Sequence, residues 1–163
     1  MRRLGVDPGE RRVGLAVADD DVGVAVPLRT VPGGARAVRE VKRAAEEEGA
    51  EALVVGLPLR LDGSEGTAAR RARRFGDAIA RETGLPVEWW DERLTTVAAE
   101  RSLAAAGVRG RDRRRVVDQS AAALVLQAYL DARRDPSEDE EDRWHEEGLE
   151  KAEEDGGLPG RGH

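Results

Sequence analysis

Four acidic residues occupy positions from which their side chains can converge. Asp7 ends the first short apolar run, Asp91 and Glu92 end a later run, and Asp118 lies near the start of the last expected helix. Because the carboxyl ends of parallel strands lie along one edge of an open α/β sheet, Asp7 and the Asp91–Glu92 pair are expected at the same edge. Asp118 reaches that edge if its helix packs across the sheet, which an apolar face at helical spacing allows.

These side chains offer hard oxygen ligands and no others. A carboxylate set without histidine or thiolate suits Mg²⁺ or Mn²⁺, and two such ions can activate water and stabilise the leaving oxygen in phosphodiester hydrolysis. The sequence therefore predicts a catalytic metal site with Asp7 as the bridging ligand, completed by Asp118 and by Asp91 or Glu92. Neighbours on a strand point to opposite faces, so both members of that pair bind metal only if the strand has already ended.

Each acidic residue also has a purely structural interpretation, which the spacing alone leaves open. Asp7 can be a turn residue, and Asp118 can interact favourably with the dipole of its helix. Asp91 and Glu92 can form a surface ion-pair cluster with Arg93. The metal-site hypothesis depends on these residues meeting in three dimensions.

Apolar runs and turn residues predict the elements that position these side chains. Three short strands joined by turns precede a helix, a strand, a helix, a fifth strand and two further helices. Turn-joined strands are antiparallel and helix-joined strands are parallel, so we expect an α/β fold with a five-stranded mixed sheet flanked by helices, its first three strands antiparallel. Pro27 favours an edge position for the third strand. The expected strands are 4–6, 13–17, 23–31, 52–55 and 87–90. The first two expected helices are 35–48 and 67–83, the second of them capped by Thr67. The third is expected to run from a cap at Thr95 or Thr96 to Ala106, and the fourth from Asp112 to about residue 134.

Basic residues lie next to the acidic ones. Residues 109–115 are expected to form a basic loop whose arginines bind phosphates on either side of the cut. The alternative is a solvated loop that balances the acidic end of the chain. The candidate substrate contacts in this loop and in the turn after Asp7 are Gly9, Arg12, Arg113, Arg114 and Arg115.

Charge divides the 163-residue chain into two parts. Residues 135–163 contain 12 acidic and 3 basic residues, which leaves 24 basic and 21 acidic residues in 1–134. We therefore expect a mildly basic domain over residues 1–134 and an acidic, disordered tail over residues 135–163.

Residue usage excludes several function classes. The chain has no cysteine, which excludes disulfides, thiolate metal sites and a cysteine nucleophile. Both histidines, His145 and His163, lie in the acidic tail, which argues against a Ser–His triad in the domain. No apolar run reaches the roughly 18 residues of a membrane span, and Arg2 and Arg3 lead into polar turns rather than a signal peptide. These features predict a cytoplasmic protein with no membrane partner.

Four blocks of sequence, in order, resemble the YqgF/RuvX family of pre-16S rRNA nucleases and Holliday-junction-resolvase-like proteins. They are LGVDPG with the following RVG and AVAD, VGLPL through Asp62–Gly63, WDERLTT, and VVD with the following AA, LQ and YL. The resemblance implies a ribonuclease H-like fold, divalent metal bound by carboxylates, and a role in maturing the 5′ end of precursor 16S rRNA. Arg60–Leu61 departs from the family's usual pattern and leaves the acidic set intact.

The resemblance also implies roles for individual residues. Asp7, Asp91, Glu92 and Asp118 fall on the family's acidic positions. Two more residues fall on its motif, with substrate positioning as their expected role: Arg93 and Thr96.

The leading hypothesis is a metal-dependent nuclease that processes the 5′ end of precursor 16S rRNA as a monomer or weak homodimer. One alternative is a Holliday-junction resolvase acting on branched DNA, which needs a two-fold dimer that presents paired sites. The other is a non-catalytic RNA-binding factor for ribosome assembly, in which the basic loop matters and the carboxylates do not.

Overall fold

A single mixed sheet organises the protein. The structure, a computed structural model, describes the backbone of residues 1–95 and 111–134 and the side chains of residues 1–95 and 121–134. The strand order is β3-β2-β1-β4-β5, with β1 antiparallel to β2, β2 antiparallel to β3, and β4 parallel to both β1 and β5. The predicted five-stranded sheet with its first three strands antiparallel is therefore confirmed. The strands are β1 (Arg2–Pro8), β2 (Arg12–Asp19), β3 (Val26–Pro32), β4 (Ala52–Leu57) and β5 (Val87–Asp91).

Alternation along the strands gives the sheet two different faces. Leu4 and Val6 of β1 are fully buried in the core between the sheet and the helices α1 (Ala37–Glu48) and α2 (Thr67–Thr83). Gly5 and Asp7, the residues between and after them, face the other side of the sheet, which is covered by α3 (Arg111–Arg133). Asp7 therefore belongs to the α3 face.

Small residues let α3 approach the sheet closely. A Cβ atom added at Gly5 would lie 2.9 Å from the Cβ atom of Leu126 and 3.2 Å from the carbonyl oxygen of Ala122. At Gly14 an added Cβ atom would lie 3.4 Å from that of Ala122 and 3.7 Å from that of Asp7. The missing side chains thus bring the backbone of α3 against β1 and β2, beside the end of β1.

A buried arginine holds the opposite end of the sheet. Arg3 is 3% exposed, and its guanidinium donates hydrogen bonds to both carboxylate oxygens of Asp20, at 2.8 and 3.2 Å. It also bonds Glu88 on β5 and the hydroxyl group of Tyr129 on α3, at 3.4 and 3.2 Å. This ion-pair network ties β1, β5 and α3 together, so α3 is fixed at one end by Arg3 and along its length by apolar packing.

Three expected boundaries are wrong. Thr67 does not cap α2, because Gly66 takes the N-cap position and the first helical residue is Thr67. The predicted basic loop does not extend to residue 115, because α3 begins at Arg111; arginine is a good helix former, and no glycine or proline follows until after the helix. Residues 92–95 are already helical, so neither Thr95 nor Thr96 starts that helix. The predicted end of that helix and the predicted tail, 135–163, lie outside the described residues.

The edge prediction for β3 is confirmed, since β3 pairs only with β2. In the described part of the chain, no helix combines the length and apolar character needed to cross a bilayer.

Candidate active site

Asp7 stands at the carboxyl end of β1, where three parallel strands end side by side. It pairs with Gly14 across to β2, and the preceding residue Val6 pairs with Val55 of β4. Its side chain is half-buried. The turn that follows is tight: a Cβ atom at Gly9 would lie 2.5 Å from the carbonyl oxygen of Arg12, so the predicted substrate contact Gly9 also has a structural reason to be glycine.

Asp91 ends β5 and starts a helical turn. Its Oδ1 atom accepts a hydrogen bond from the backbone N–H of Arg93 at 3.0 Å, which is the bond of a helix N-cap. Residues 92–95 are helical as a result. The hydroxyl group of Thr95, expected as a cap, instead accepts a hydrogen bond from the indole of Trp90 at 2.7 Å. Because the strand has ended, Glu92 no longer follows strand alternation.

Glu92 turns back to Asp7. The two carboxyl groups are joined by a hydrogen bond, and burial together with the neighbouring charges of Asp7 and Asp91 raises the pKa of Glu92 to about 9. Burial is the larger cause, and the Asp7 carboxylate is the next. At neutral pH Glu92 therefore keeps its proton unless a cation compensates the charge of its carboxylate.

Gly56 makes room for Glu92. A Cβ atom added at this position of β4 would lie 2.5 Å from Oε1 and 3.1 Å from Cγ of Glu92. Any side chain here would occupy the space in which the Glu92 carboxyl lies. The absence of a side chain near the end of β4 is thus what lets Glu92, the residue after β5, reach the end of β1.

Asp91 and Arg93 form a separate ion pair. The guanidinium of Arg93 lies 2.6 Å from Oδ2 of Asp91 and lowers the pKa of that carboxyl. Arg93 also donates to the carbonyl oxygen of Leu61 at 3.3 Å and lies beside Gly63. The pair predicted from sequence is therefore divided: Glu92 contacts Asp7, while Asp91 caps a helix and holds Arg93 against the β4–α2 loop.

A cleft of about 300 Å³ adjoins Asp7 on the side of β2 and β3. Gly14 and the exposed Arg12 of β2 line it together with Asp7. One side is formed by α3 and the other by β3, where a bulge shifts the register next to Leu15. It is lined by Asp7, Arg12, Gly14, Leu15, Pro27, Leu28, Arg29, Thr30 and Ala121 to Ala123.

The remaining predicted site residues cannot be placed by their side chains. Asp118 lies in α3, four residues and thus about one turn before Ala122; its side chain is outside the described residues. The same holds for the side chains of Arg113, Arg114 and Arg115, which belong to the first turns of α3. Thr96 lies wholly outside the described part of the chain.

The donor set fits a hard divalent cation. Asp7 and Glu92 present only carboxylate oxygens, and a cation between them would stabilise the ionised form of Glu92, whose pKa is raised by burial and by the Asp7 carboxylate. Among the described side chains, no group of three potential metal ligands comes together. Asp7 and Glu92 would therefore hold such an ion. Any third protein ligand would come from a side chain outside the described ones.

Comparison with known proteins identifies the family. The sequence model of RuvX, described as "Holliday junction resolvase", matches residues 1–132. The chain belongs to the RuvX family. A protein from Chloroflexus aggregans is 46% identical over 135 residues, covering 82% of this chain and 95% of that one, and a protein from an Anaeromyxobacter species is 48% identical over 135 residues, covering 82% and 98%. Both are named "Putative pre-16S rRNA nuclease".

Solved structures support the ribonuclease H-like fold expected for a RuvX protein. RuvC from Thermus thermophilus superposes with a TM-score of 0.52 at 18% identity, and RuvC of the same organism in complex with a Holliday junction substrate superposes with a TM-score of 0.51 at 20% identity. Each comparison covers 82% of this chain and 96% of the RuvC chain. The likeness concerns the fold.

Sequence reasoning missed two features of this RuvX site. The role of Gly56 could have been suspected from a glycine inside a wholly apolar strand, which often marks a close approach. Thr30 and the other β3 residues of the cleft carry no local signal, because their place arises from the pairing of β2 with β3, in which Thr30 pairs with Gly14 and Gly14 with Asp7.

Proposed function

We propose that this RuvX protein is a divalent-metal-dependent nuclease that cleaves the 16S rRNA precursor near its 5′ end in the cytoplasm. The observation that carries the proposal is the contact between Asp7 at the end of β1 and Glu92 just after β5, with Asp7 lining a cleft. Asp7 and Glu92 would hold Mg²⁺ or Mn²⁺, which would supply activation of water and stabilisation of the leaving oxygen of a phosphodiester. The names of the relatives supply the RNA substrate.

The chain's own residues divide the work. Asp7 and Glu92 hold the ion, and Gly56 keeps the Glu92 carboxyl in reach of Asp7. Arg12, which lines the cleft with Asp7, would bind a phosphate next to the cut. Asp118 in α3 would complete the ligand set, as its position about one turn before Ala122 allows.

The test is cleavage of a labelled 16S rRNA precursor fragment in the presence of Mg²⁺. Asp7→Asn and Glu92→Gln each remove a metal-binding charge worth several kcal/mol in the transition state, so the rate should fall by at least roughly 100-fold. Asp21→Asn is the matched control, because Asp21 is an exposed carboxylate in the β2–β3 turn, away from the site. Processing that continues at the wild-type rate in Asp7→Asn would refute catalysis and favour the non-catalytic assembly factor.

Resolution of four-way DNA junctions is the second candidate. It is favoured by the description of the RuvX family and by the RuvC-like fold. The same variants, assayed on a four-way DNA junction, separate the two functions. A resolvase must also form a two-fold dimer with paired sites, whereas we expect the RNA enzyme to act as a monomer or weak homodimer. Sedimentation with each substrate distinguishes them.

A further inference from the structure

The first half of α2 carries a concentration of arginines that the active site does not use. Four of the first eight residues of the helix are arginine: Arg70, Arg71, Arg73 and Arg74. Arg70 and Arg74 are exposed and Arg71 is half-exposed. The active site described above contains none of them.

Among the described side chains, only Arg73 of these four arginines has an acidic partner. Arg73 forms an ion pair with Glu65, and its guanidinium lies 5.0 Å from the ring centre of Trp89. Within the described residues, Arg70, Arg71 and Arg74 have no carboxylate within 4.0 Å. Arg70 makes only a 3.4 Å hydrogen bond to the carbonyl oxygen of Gly66. Three cations are thus left for a partner outside the helix.

The placement of these charges is unfavourable for the helix itself. The first turn of α2 contains no acidic residue and its N-cap makes no side-chain bond, although the first turn of a helix favours negative charge. Arg70 and Arg74 are four residues apart, a spacing at which like charges repel. An anionic partner would remove this repulsion and would compensate the positive charge near the start of the helix.

The arginines lie at the same edge of the sheet as the carboxylate pair. Helix α2 follows the carboxyl end of β4, so its first turns start at the edge where Asp7 and Glu92 meet. The connecting loop is ordered by internal bonds, such as the hydroxyl of Ser64 donating to Asp62 at 2.6 Å. Arg93 is held against one end of this loop, and at its other end the Arg60 guanidinium lies against Gly66.

We propose that Arg70, Arg71 and Arg74, together with Arg60, form a surface that binds the phosphate backbone of the RNA beyond the cut. We call these four residues the α2 basic surface. This proposal rests on the proposed function for the identity of the nucleic acid. Planar guanidinium groups suit phosphate oxygens, and the surface continues from the active site through Arg93 and the β4–α2 loop. The contacts go to the backbone, so they set position and affinity rather than sequence preference.

The test is RNA binding by the full chain in the Asp7→Asn background, which is expected not to cut. The triple variant Arg70→Gln, Arg71→Gln, Arg74→Gln is compared with its parent by fluorescence anisotropy, using a fluorescein-labelled RNA hairpin. Each lost phosphate contact should weaken binding about fivefold at about 0.15 M salt, giving roughly 100-fold for three. The slope of log K against log salt should become shallower by about 2 to 3.

The matched control removes three cations that lie on α1 and near the C-terminal end of α2: Lys42→Gln, Arg43→Gln and Arg81→Gln. Residue 81 lies 11 positions, or about 16 Å, along α2 from residue 70. We expect this control to change the dissociation constant less than threefold. Equal losses in both triple variants, or a loss below threefold in the first, would overturn the proposal. A loss below threefold in the α2 triple variant is also the result expected if the surface binds the acidic segment 135–163 instead of RNA.

Binding and cutting fail separately in this design. If the wild-type chain proves not to cleave RNA, the proposed function is wrong, yet the anisotropy data still decide whether the surface binds phosphates. If Asp7→Asn abolishes cleavage while the arginine triple variant binds like its parent, the nuclease stands and the α2 basic surface does not.

Discussion

The Asp7–Glu92 pair makes the stability of the metal-free protein depend on pH, and Glu92→Gln should remove that dependence. In the folded chain Glu92 holds its proton up to a pKa of about 9, whereas its ordinary value is 4.5. Between these values the folded state binds one more proton than the unfolded state. The free energy of unfolding therefore falls as pH rises, by about 1.4 kcal/mol per pH unit for one proton.

The sign follows from the direction of the shift. A raised pKa contributes stability that is complete below the unfolded value of 4.5 and is lost as pH rises through about 9. From about pH 6 to about pH 8 the loss should be roughly 3 kcal/mol. Glutamine at position 92 cannot ionise, but it can still donate a hydrogen bond to Asp7, so it imitates the protonated form. The variant should keep nearly the same stability at both pH values.

Urea unfolding in the presence of EDTA, followed by tryptophan fluorescence, measures this effect. The relevant quantity is the change in the free energy of unfolding from about pH 6 to about pH 8. The change in Glu92→Gln is subtracted from the change in the wild type, because the contributions of other titrating groups then cancel. Glu82→Gln, at an exposed position near the end of α2, is the control and should behave like the wild type. Parallel pH profiles for wild type and Glu92→Gln would show that Glu92 is not buried against Asp7.

Three further predictions concern the geometry around the site. Gly56→Ala places a methyl group 2.5 Å from Oε1 of Glu92. Because the flexible Glu92 side chain can move aside, RNA cleavage should fall at least about tenfold with little change in stability. Undiminished cleavage would contradict the role of Gly56. Gly5→Ala overpacks the contact with Leu126 and should destabilise the fold by about 1 to 3 kcal/mol in urea unfolding; an unchanged midpoint would mean that α3 does not approach β1 so closely. A chain ending at Arg134 should unfold at the wild-type temperature, and a clear drop would show that residues 135–163 stabilise the domain.

The fold could be predicted because local patterns and topology agree. Short apolar runs separated by turn residues predicted all five strands, and the lengths of the connections predicted which pairs are parallel. The helix ends at Gly49 and Gly84 were likewise predicted, and both glycines adopt positive φ angles, 63° and 69°. Asp7 was predicted at the carboxyl end of a central strand for the same reason: its position depends only on where β1 ends.

Which of Asp91 and Glu92 contacts Asp7 depends on a single residue at the end of β5, so spacing alone could not predict it. Strand alternation would place the two side chains on opposite faces. Instead, Asp91 becomes a helix cap by bonding the N–H of Arg93, and the new helical turn directs Glu92 toward Asp7. The sequence contains a competing cap two positions beyond Arg93, at Thr95, and only the hydrogen bond from Trp90 shows that its hydroxyl group is already engaged.

Charge balance at the active-site edge is the argument that connects the two proposals. Asp7 and Glu92 repel a phosphate unless cations compensate them, and the nearest arginine after Glu92 is neutralised by Asp91 at 2.6 Å. Two arginines line the cleft with Asp7, and one of them, Arg29, already pairs with Glu47 at 3.2 Å. A nuclease built this way needs attraction from farther along the same edge, since long-range charge steers a polyanion before any contact at the cut. The arginines of α2 without acidic partners lie where that attraction is required, so the energetic cost they impose on their own helix has a functional explanation.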